Sequence, residues 1–226
     1  VIKPFLVIIL ATILCDIRSN ILFKYLISII LISIISLLLI AQPDIGQTLL
    51  VVFCWAVLIF TSGINIYILL AIFIAGASLL TYLIIYVPRF DYIQGRIFSF
   101  FNRETGTHNF QSDKAIESIT SGGFFGKGIG EGVLKNRVPE AHTDYIISVI
   151  SEEFGVVAIM LILLLFLILI YMVFKKISFE TNDKVKLILI GSISLILMQA
   201  TIHVGVNIRL FPTTGMTLPF LSYGGS

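Results

Sequence analysis

Apolar residues run along this chain in long blocks separated by short polar turns. That is the pattern of helices that cross a bilayer, not of helices with one wet face. A span needs about 17 to 25 mostly apolar residues, and six blocks are read as spans: Ile2–Cys15, Ile21–Ile40, Leu49–Phe60, Ile64–Val87, Asp144–Phe174 and Leu187–Leu210, with the start of a seventh from Met216 onward. The first is short. Between them lie the polar turn Asp16–Asn20, the Thr61-Ser62-Gly63 turn, and Gln42 to Gln47, where Pro43 lacks a backbone donor and Gly46 weakens helix propensity, so that the helix breaks. From Pro88 to Thr143 the chain is polar without a sustained apolar period. A large extramembrane loop over 88–143 is predicted, with one short amphipathic helix near Ser112 to Thr120. The fold class is all-α, a polytopic transmembrane helix bundle forming a single integral membrane domain over 1–226.

Composition agrees. Hydrophobic residues make up 58% of the 226 and charged residues 12%, against roughly 25% charged in soluble domains, which excludes a soluble enzyme. The balance of 15 Lys and Arg against 13 Asp and Glu gives +2, too small and scattered for a nucleic-acid partner. Arg18 and Lys24 flank the first turn, and Lys175, Lys176, Lys184 and Lys186 crowd the connection before Leu187. Alternating sides along the spans puts both groups on one face, which the positive-inside rule makes cytoplasmic. The large loop then lies outside, its seven basic residues matched by seven acids when Asp144 is included. Cys15 and Cys54 sit in apolar runs with no partner at metal-ligand spacing and read as buried small hydrophobes. No internal repeat stands out. The chain opens on Val1 inside an apolar segment, with no initiator methionine or basic leader, and stops at Ser226 after a glycine pair. An internal piece of a longer membrane protein is expected.

Few segments can carry chemistry. The glycine-rich stretch from Ser121 to Gly132 resembles a phosphate loop only superficially, because Lys127 is followed by Gly128 rather than Ser or Thr, and Gly126, Gly128 and Gly130 do not make G-x-G-x-x-G. A tight, close-packed loop with positive-φ positions is the better reading. The sharpest feature is Val138-Pro-Glu-Ala-His-Thr-Asp-Tyr145, which sets Glu140, His142 and Asp144 where the loop re-enters a helix at the outer boundary. Thr143 or Asp144 can cap that helix. Alternatively Asp144 accepts a proton from a substrate hydroxyl or holds a cation at the edge of low dielectric. Glu152 and Glu153 are adjacent, so at least one faces protein or a groove instead of lipid. Gln199, His203 and Asn207 recur every four residues as one polar stripe, suited to joining helices by hydrogen bonds or to relaying protons. Asp44 is a helix cap or part of an outer-face site, and Lys3, a charge within an apolar run, is a functional candidate by default.

Several stretches together resemble the SEDS family of polytopic membrane proteins, which serve cell division and elongation. Val1-Ile-Lys3-Pro4 resembles the end of a family stretch whose glutamate would precede Val1. Gln42-Pro-Asp-Ile-Gly46 is similar to the E/Q-P-D-L-G motif, and Arg96, Gln111 and Ser121-Gly-Gly123 match positions along the large loop. Pro139-Glu-Ala-His-Thr-Asp144 and Pro219-Phe-Leu-Ser-Tyr-Gly-Gly225 are similar to its two most specific signatures. The resemblance covers essentially the whole chain. Thr213 to Pro219 and Ala141 look more like division-type than elongation-type members. On the family's ten-span plan the chain would hold spans four to nine and the start of the tenth. His203 departs from the family's usual Asn, and Arg209 from its usual small residue.

The resemblance implies a peptidoglycan glycosyltransferase that polymerises lipid II on the outer face of the cytoplasmic membrane during septal wall synthesis. It gives Asp144 the catalytic role, as base for the acceptor sugar hydroxyl. Substrate-binding positions are Lys3, Arg96, Lys135, Arg137, Glu140, His142 and Thr143, the basic ones suited to a pyrophosphate leaving group. A divalent cation, Mg or Mn, held by Asp144 is another source of positive charge. Partners implied are lipid II, a class B penicillin-binding transpeptidase, other divisome proteins and membrane lipid. Two other readings stay open, a lipid II flippase using the polar stripe and a non-catalytic division scaffold. The isolated piece is expected to be inactive.

Overall fold

A computed structural model describes residues 2–16, 20–101, 107–133 and 143–223. The described residues form eight α-helices and one short 3-10 turn, with no strand among them: α1 Ile2–Cys15, α2 Ile21–Ala41, α3 Ile45–Thr61, α4 Ile66–Tyr86, the turn Pro88–Phe90, α5 Asp91–Phe101, α6 Thr107–Gly122, α7 Ile146–Phe179 and α8 Asp183–Asn207. Four helices are long and apolar enough to cross a membrane: Leu22–Ala41 of α2, then α4, α7 and α8. Helices α1 and α3, of 14 and 17 residues, are shorter than the roughly 20 that a perpendicular span requires.

The chain divides into two compact units, Val1–Gln94 with Tyr171–Met198, and Gly95–Ile170 with Gln199–Ser226. In the first, the short helices are the buried ones. Val7, Leu10 and Ala11 of α1 and Leu50, Cys54, Leu58 and Ile59 of α3 are fully enclosed, whereas α2 and α4 expose Leu22, Leu37, Ile74 and Ile85, as helices facing lipid do. Gly191 of α8 lets the helices close up, since a Cβ there would lie 2.5 Å from Val7 and 3.1 Å from Leu58. Close approach through a small residue is how helices associate where lipid removes the hydrophobic drive. Trp55 donates to Ser28 Oγ at 3.4 Å, satisfying a buried indole N–H.

Asp44 is a cap. Its Oδ1 accepts the Gln47 amide at 3.0 Å, so α3 begins at Ile45 and the break expected to run through Gln47 ends at Asp44. The loop after Val87 differs more from expectation. It carries two helices instead of one, α5 and α6, and the second extends well beyond Ser112–Thr120. The helix expected from Met216 does not form among the residues described to Tyr223. Pro219 has no N–H to give and disfavours helix in the residue before it, and the stretch preceding it is held by side chains of α8.

In the second unit, Ile147 of α7, Ala200 of α8 and Leu218 form an apolar core with Ile146, Ile159, Phe166 and Val204 against it. Helix α7 is broken inside by Gly155, at φ 77° and ψ −178°. The break is filled by the glycine-rich stretch. Val156 N–H donates to Gly123 O at 3.0 Å, Lys127 N–H to Glu152 O at 2.8 Å and Gly128 N–H to Glu153 O at 3.1 Å. This meets the expectation of a tight, close-packed loop, for Gly123, Gly126, Gly128 and Gly130 all have positive φ.

Candidate functional site

The site is assembled by the polar stripe of α8. Gln199 Nε2 donates to Thr217 O at 2.9 Å, and His203 Nδ1 pairs with Met216 O at 2.7 Å. Asn207 Nδ2 donates to Asp144 O at 3.0 Å and to His203 O at 2.8 Å, while Ser148 Oγ donates to Asn207 Oδ1 at 2.6 Å. One helix face therefore fixes both the stretch Thr213–Leu218 and the turn Thr143–Tyr145 that opens α7. Ser222 Oγ donates to Thr143 O at 2.7 Å and ties the two again. Beyond α8 the chain doubles back because Gly205 has no side chain; a Cβ there would lie 2.2 Å from the Phe211 ring. Asn207 is fully buried. Asn207→Leu would leave Ser148 and the Asp144 carbonyl without this partner, and about 1–3 kcal/mol of stability should be lost per orphaned group. A lowered unfolding midpoint in detergent checks it.

The result is a recess of about 140 Å³ lined by Arg96, Gln111, Asp144, Tyr145, Val206, Thr213, Thr214, Gly215 and Met216. Arg96 reaches it from α5 and Gln111 from α6. Arg96 Nη1 donates to Thr213 O at 3.3 Å, which aims the guanidinium across the recess. Asp144 is half-buried, and its Oδ2 is 3.6 Å from where a Cβ on Gly215 would stand. The recess thus pairs one carboxylate and one guanidinium with a wall of hydroxyl, amide and backbone groups. A carboxylate so placed can take a proton from a hydroxyl, and the guanidinium can meet a phosphate with two parallel donors.

Among the sequence-predicted residues, Asp144 and Arg96 meet here and Thr143 adjoins them. Lys3 lies in the first unit, where Asp44 is the opposite charge that acts on it. Lys135, Arg137, Glu140 and His142 lie outside the described residues. Among the described residues no cluster of three His, Cys, Asp or Glu side chains could hold a metal. Among the described residues Asp144 is the one carboxylate lining the recess, which it shares with the Arg96 guanidinium. Thr213, Thr214 and Gly215 were missed as site residues. Their signal was a run of small polar residues directly after a span.

A second polar node supports the loop beside the site. Glu152, 3% exposed, accepts from Lys127 Nζ at 3.0 Å, Ser118 Oγ at 3.2 Å and Val133 N–H at 3.1 Å. Of the adjacent glutamates this is the one turned into protein, while half-buried Glu153 accepts the Gly130 amide. Arg209, at φ 59°, is ion-paired with Asp113 of α6.

Residues 1–226 match the family described as Cell cycle protein, FTSW_RODA_SPOVE. The chain is 36% identical over 195 residues to the probable peptidoglycan glycosyltransferase FtsW of Caulobacter vibrioides, covering 84% of this chain and 47% of that one. It is 38% identical over 206 residues to the protein of the same name from Francisella salina, covering 87% and 50%. The chain spans about half the length of these curated relatives. Among solved structures, a chain of a peptidoglycan synthase complex that coordinates polymerization and crosslinking superposes with a TM-score of 0.77 at 25% identity, covering 98% of this chain and 62% of that one. A variant of the rod shape determining protein RodA of Thermus thermophilus gives 0.64 at 26% identity, covering 98% and 57%.

Proposed function

The chain belongs to the FtsW/RodA/SpoVE family of cell cycle proteins, and from that premise we propose that the protein is a glycosyltransferase polymerising lipid II at the septum. It is a multi-pass membrane protein, as its four long apolar helices require. The observation that carries the reading is the convergence of Asp144 and Arg96 on one recess walled by Thr213–Met216. Asp144 takes the proton from the acceptor sugar 4-hydroxyl as that oxygen forms a bond to the donor anomeric carbon. The bond from that carbon to the polyprenyl pyrophosphate breaks, and Arg96 stabilises the charge left on the departing phosphate. The proton then passes from Asp144 to water. A recess at the end of spanning helices suits a substrate whose sugar and phosphates lie at the interface and whose tail stays in lipid.

The polar stripe supports this reading over translocation. Gln199, His203 and Asn207 hydrogen-bond with Thr217, Met216 and the Asp144 turn, which gives the stripe a structural role that needs no path through the bilayer. The name of the synthase complex that this chain resembles speaks of coordinated polymerization and crosslinking, which supports a class B penicillin-binding transpeptidase as partner, with other division proteins around it. The test is incubation of the full-length protein and that transpeptidase with purified lipid II. Glycan strands are expected. Movement of lipid II across vesicles without polymer would establish the flippase, and neither product nor movement would leave the scaffold.

A further inference from the structure

The glycine-rich turn that fills the break in α7 carries a highly exposed pair of adjacent aromatic residues. Phe124 is 75% exposed, Phe125 86% and nearby Ile129 80%. In water such a cluster is unfavourable, and the loop's own backbone bonding shows that it is held in this place. Gly123 O and Phe124 O accept the Val156 and Val157 amides at 3.0 and 3.4 Å. A Cβ on Gly126 would lie 2.2 Å from Glu153 O, and one on Gly155 would lie 2.2 Å from Phe124 O. The turn is thus seated backbone to backbone on α7 at one fixed level.

That level follows from the sequence of α7. From Gly155 to Phe174 there are twenty residues and no charge, and Lys175 and Lys176 close the run. At 1.5 Å per residue this covers about 30 Å, the thickness of the hydrocarbon core. With the lysines at one boundary, Gly155 falls at the other, and Glu152 and Glu153 stand just beyond it. The turn docked on Gly155 therefore lies at the interface, where aromatic side chains concentrate. Polarity is sorted to match. Lys127 is paired with Glu152 and Gly130 N–H with Glu153, while the Phe124 carbonyl accepts the Val157 amide on a stretch of α7 whose Phe154, Val157, Met160 and Leu161 are exposed apolar residues. The backbone amides that the turn shares with α7 are satisfied, as a low-dielectric boundary demands.

The geometry points to the turn Gly122–Gly130 as an interfacial membrane anchor, with Phe124, Phe125 and Ile129 buried among lipids of the leaflet opposite Lys175 and Lys176. The inference rests on α7 spanning the bilayer and not on the polymerase reading. The anchor fixes the height of the end of α6, and through Ser118 and Glu152 it joins that end to α7.

The experiment uses the full-length protein in lipid vesicles carrying Phe125→Trp, with the parent supplying the background of buried Trp55. Lipids brominated near the head of the acyl chain should quench the added fluorescence at least twofold, more than lipids brominated near the chain end, and aqueous acrylamide should quench it poorly. Ile129→Trp, on the same turn, should respond alike and serves as a second reporter should the first variant misfold. Strong acrylamide quenching with no effect of bromolipid would overturn the anchor. So would protection that appears only when the transpeptidase is added, which would make the aromatic pair a protein-docking surface. Loss of lipid II polymerisation alone bears on the other proposal, since depth is read without substrate.

Discussion

Asp144→Asn should lower lipid II polymerisation by the full-length protein about 10²- to 10⁴-fold, the range that a positioned general base supplies, or roughly 3–5 kcal/mol of barrier. Stability should hardly change. Asparagine keeps the shape of the side chain and leaves in place the main-chain carbonyl through which Asn207 fixes the turn. It caps helices as well as aspartate does, so a role confined to capping α7 would survive the exchange. What is lost is the negative charge and the capacity to accept a proton beside Arg96. The assay compares glycan product, lipid II binding and unfolding midpoint for both proteins. Lost product with retained binding and an unchanged midpoint assigns Asp144 to chemistry, whereas unchanged product reduces it to a cap.

How legible the fold was depended on how local each signal is. The long apolar blocks gave α2, α4 and α8 to within a few residues, because a single long apolar run can satisfy its backbone in lipid only as a helix. The Gln199, His203 and Asn207 stripe was readable as helix-joining hydrogen bonds from its four-residue spacing. Its partners were not, since Met216 and Thr217 are chosen by a chain reversal at Gly205 that leaves no periodic trace. The same reversal hid Thr213 to Gly215, which stand about seventy residues beyond Asp144 and become neighbours only in three dimensions. Helix α5 escaped because Asp91, Gly95 and Arg96 interrupt any apolar period over its 11 residues. The glycine-rich loop is legible in the sequence as backbone packing, but the surface it packs on is not: a single glycine amid apolar residues looks like a tolerated weak point in a helix, not a break.

That glycine should be the least replaceable residue of the unit. Gly155→Ala puts a Cβ at φ 77° and ψ −178°, a region open essentially to glycine and costing about 1–3 kcal/mol for other residues. The new atom would also stand 2.2 Å from Phe124 O, 2.4 Å from Phe124 C and 2.6 Å from Gly126 N, all backbone, none able to swing aside as a side chain would. Either the turn lifts off α7 or the helix straightens through Gly155. Both outcomes forfeit the bonds of Val156, Val157, Lys127 and Gly128 and unseat Val133 and Lys127 from the buried Glu152 carboxylate. The expected loss is roughly 3 kcal/mol or more, since each group left unpaired at a low-dielectric boundary adds its own desolvation penalty. Alanine at Gly76 is the control, because a Cβ there meets nothing within 4 Å and its backbone lies outside the left-handed region. A clear fall in the unfolding midpoint for Gly155→Ala beside an unchanged or raised one for Gly76→Ala is the predicted result, and equal midpoints would mean that the break in α7 is not needed to seat the turn.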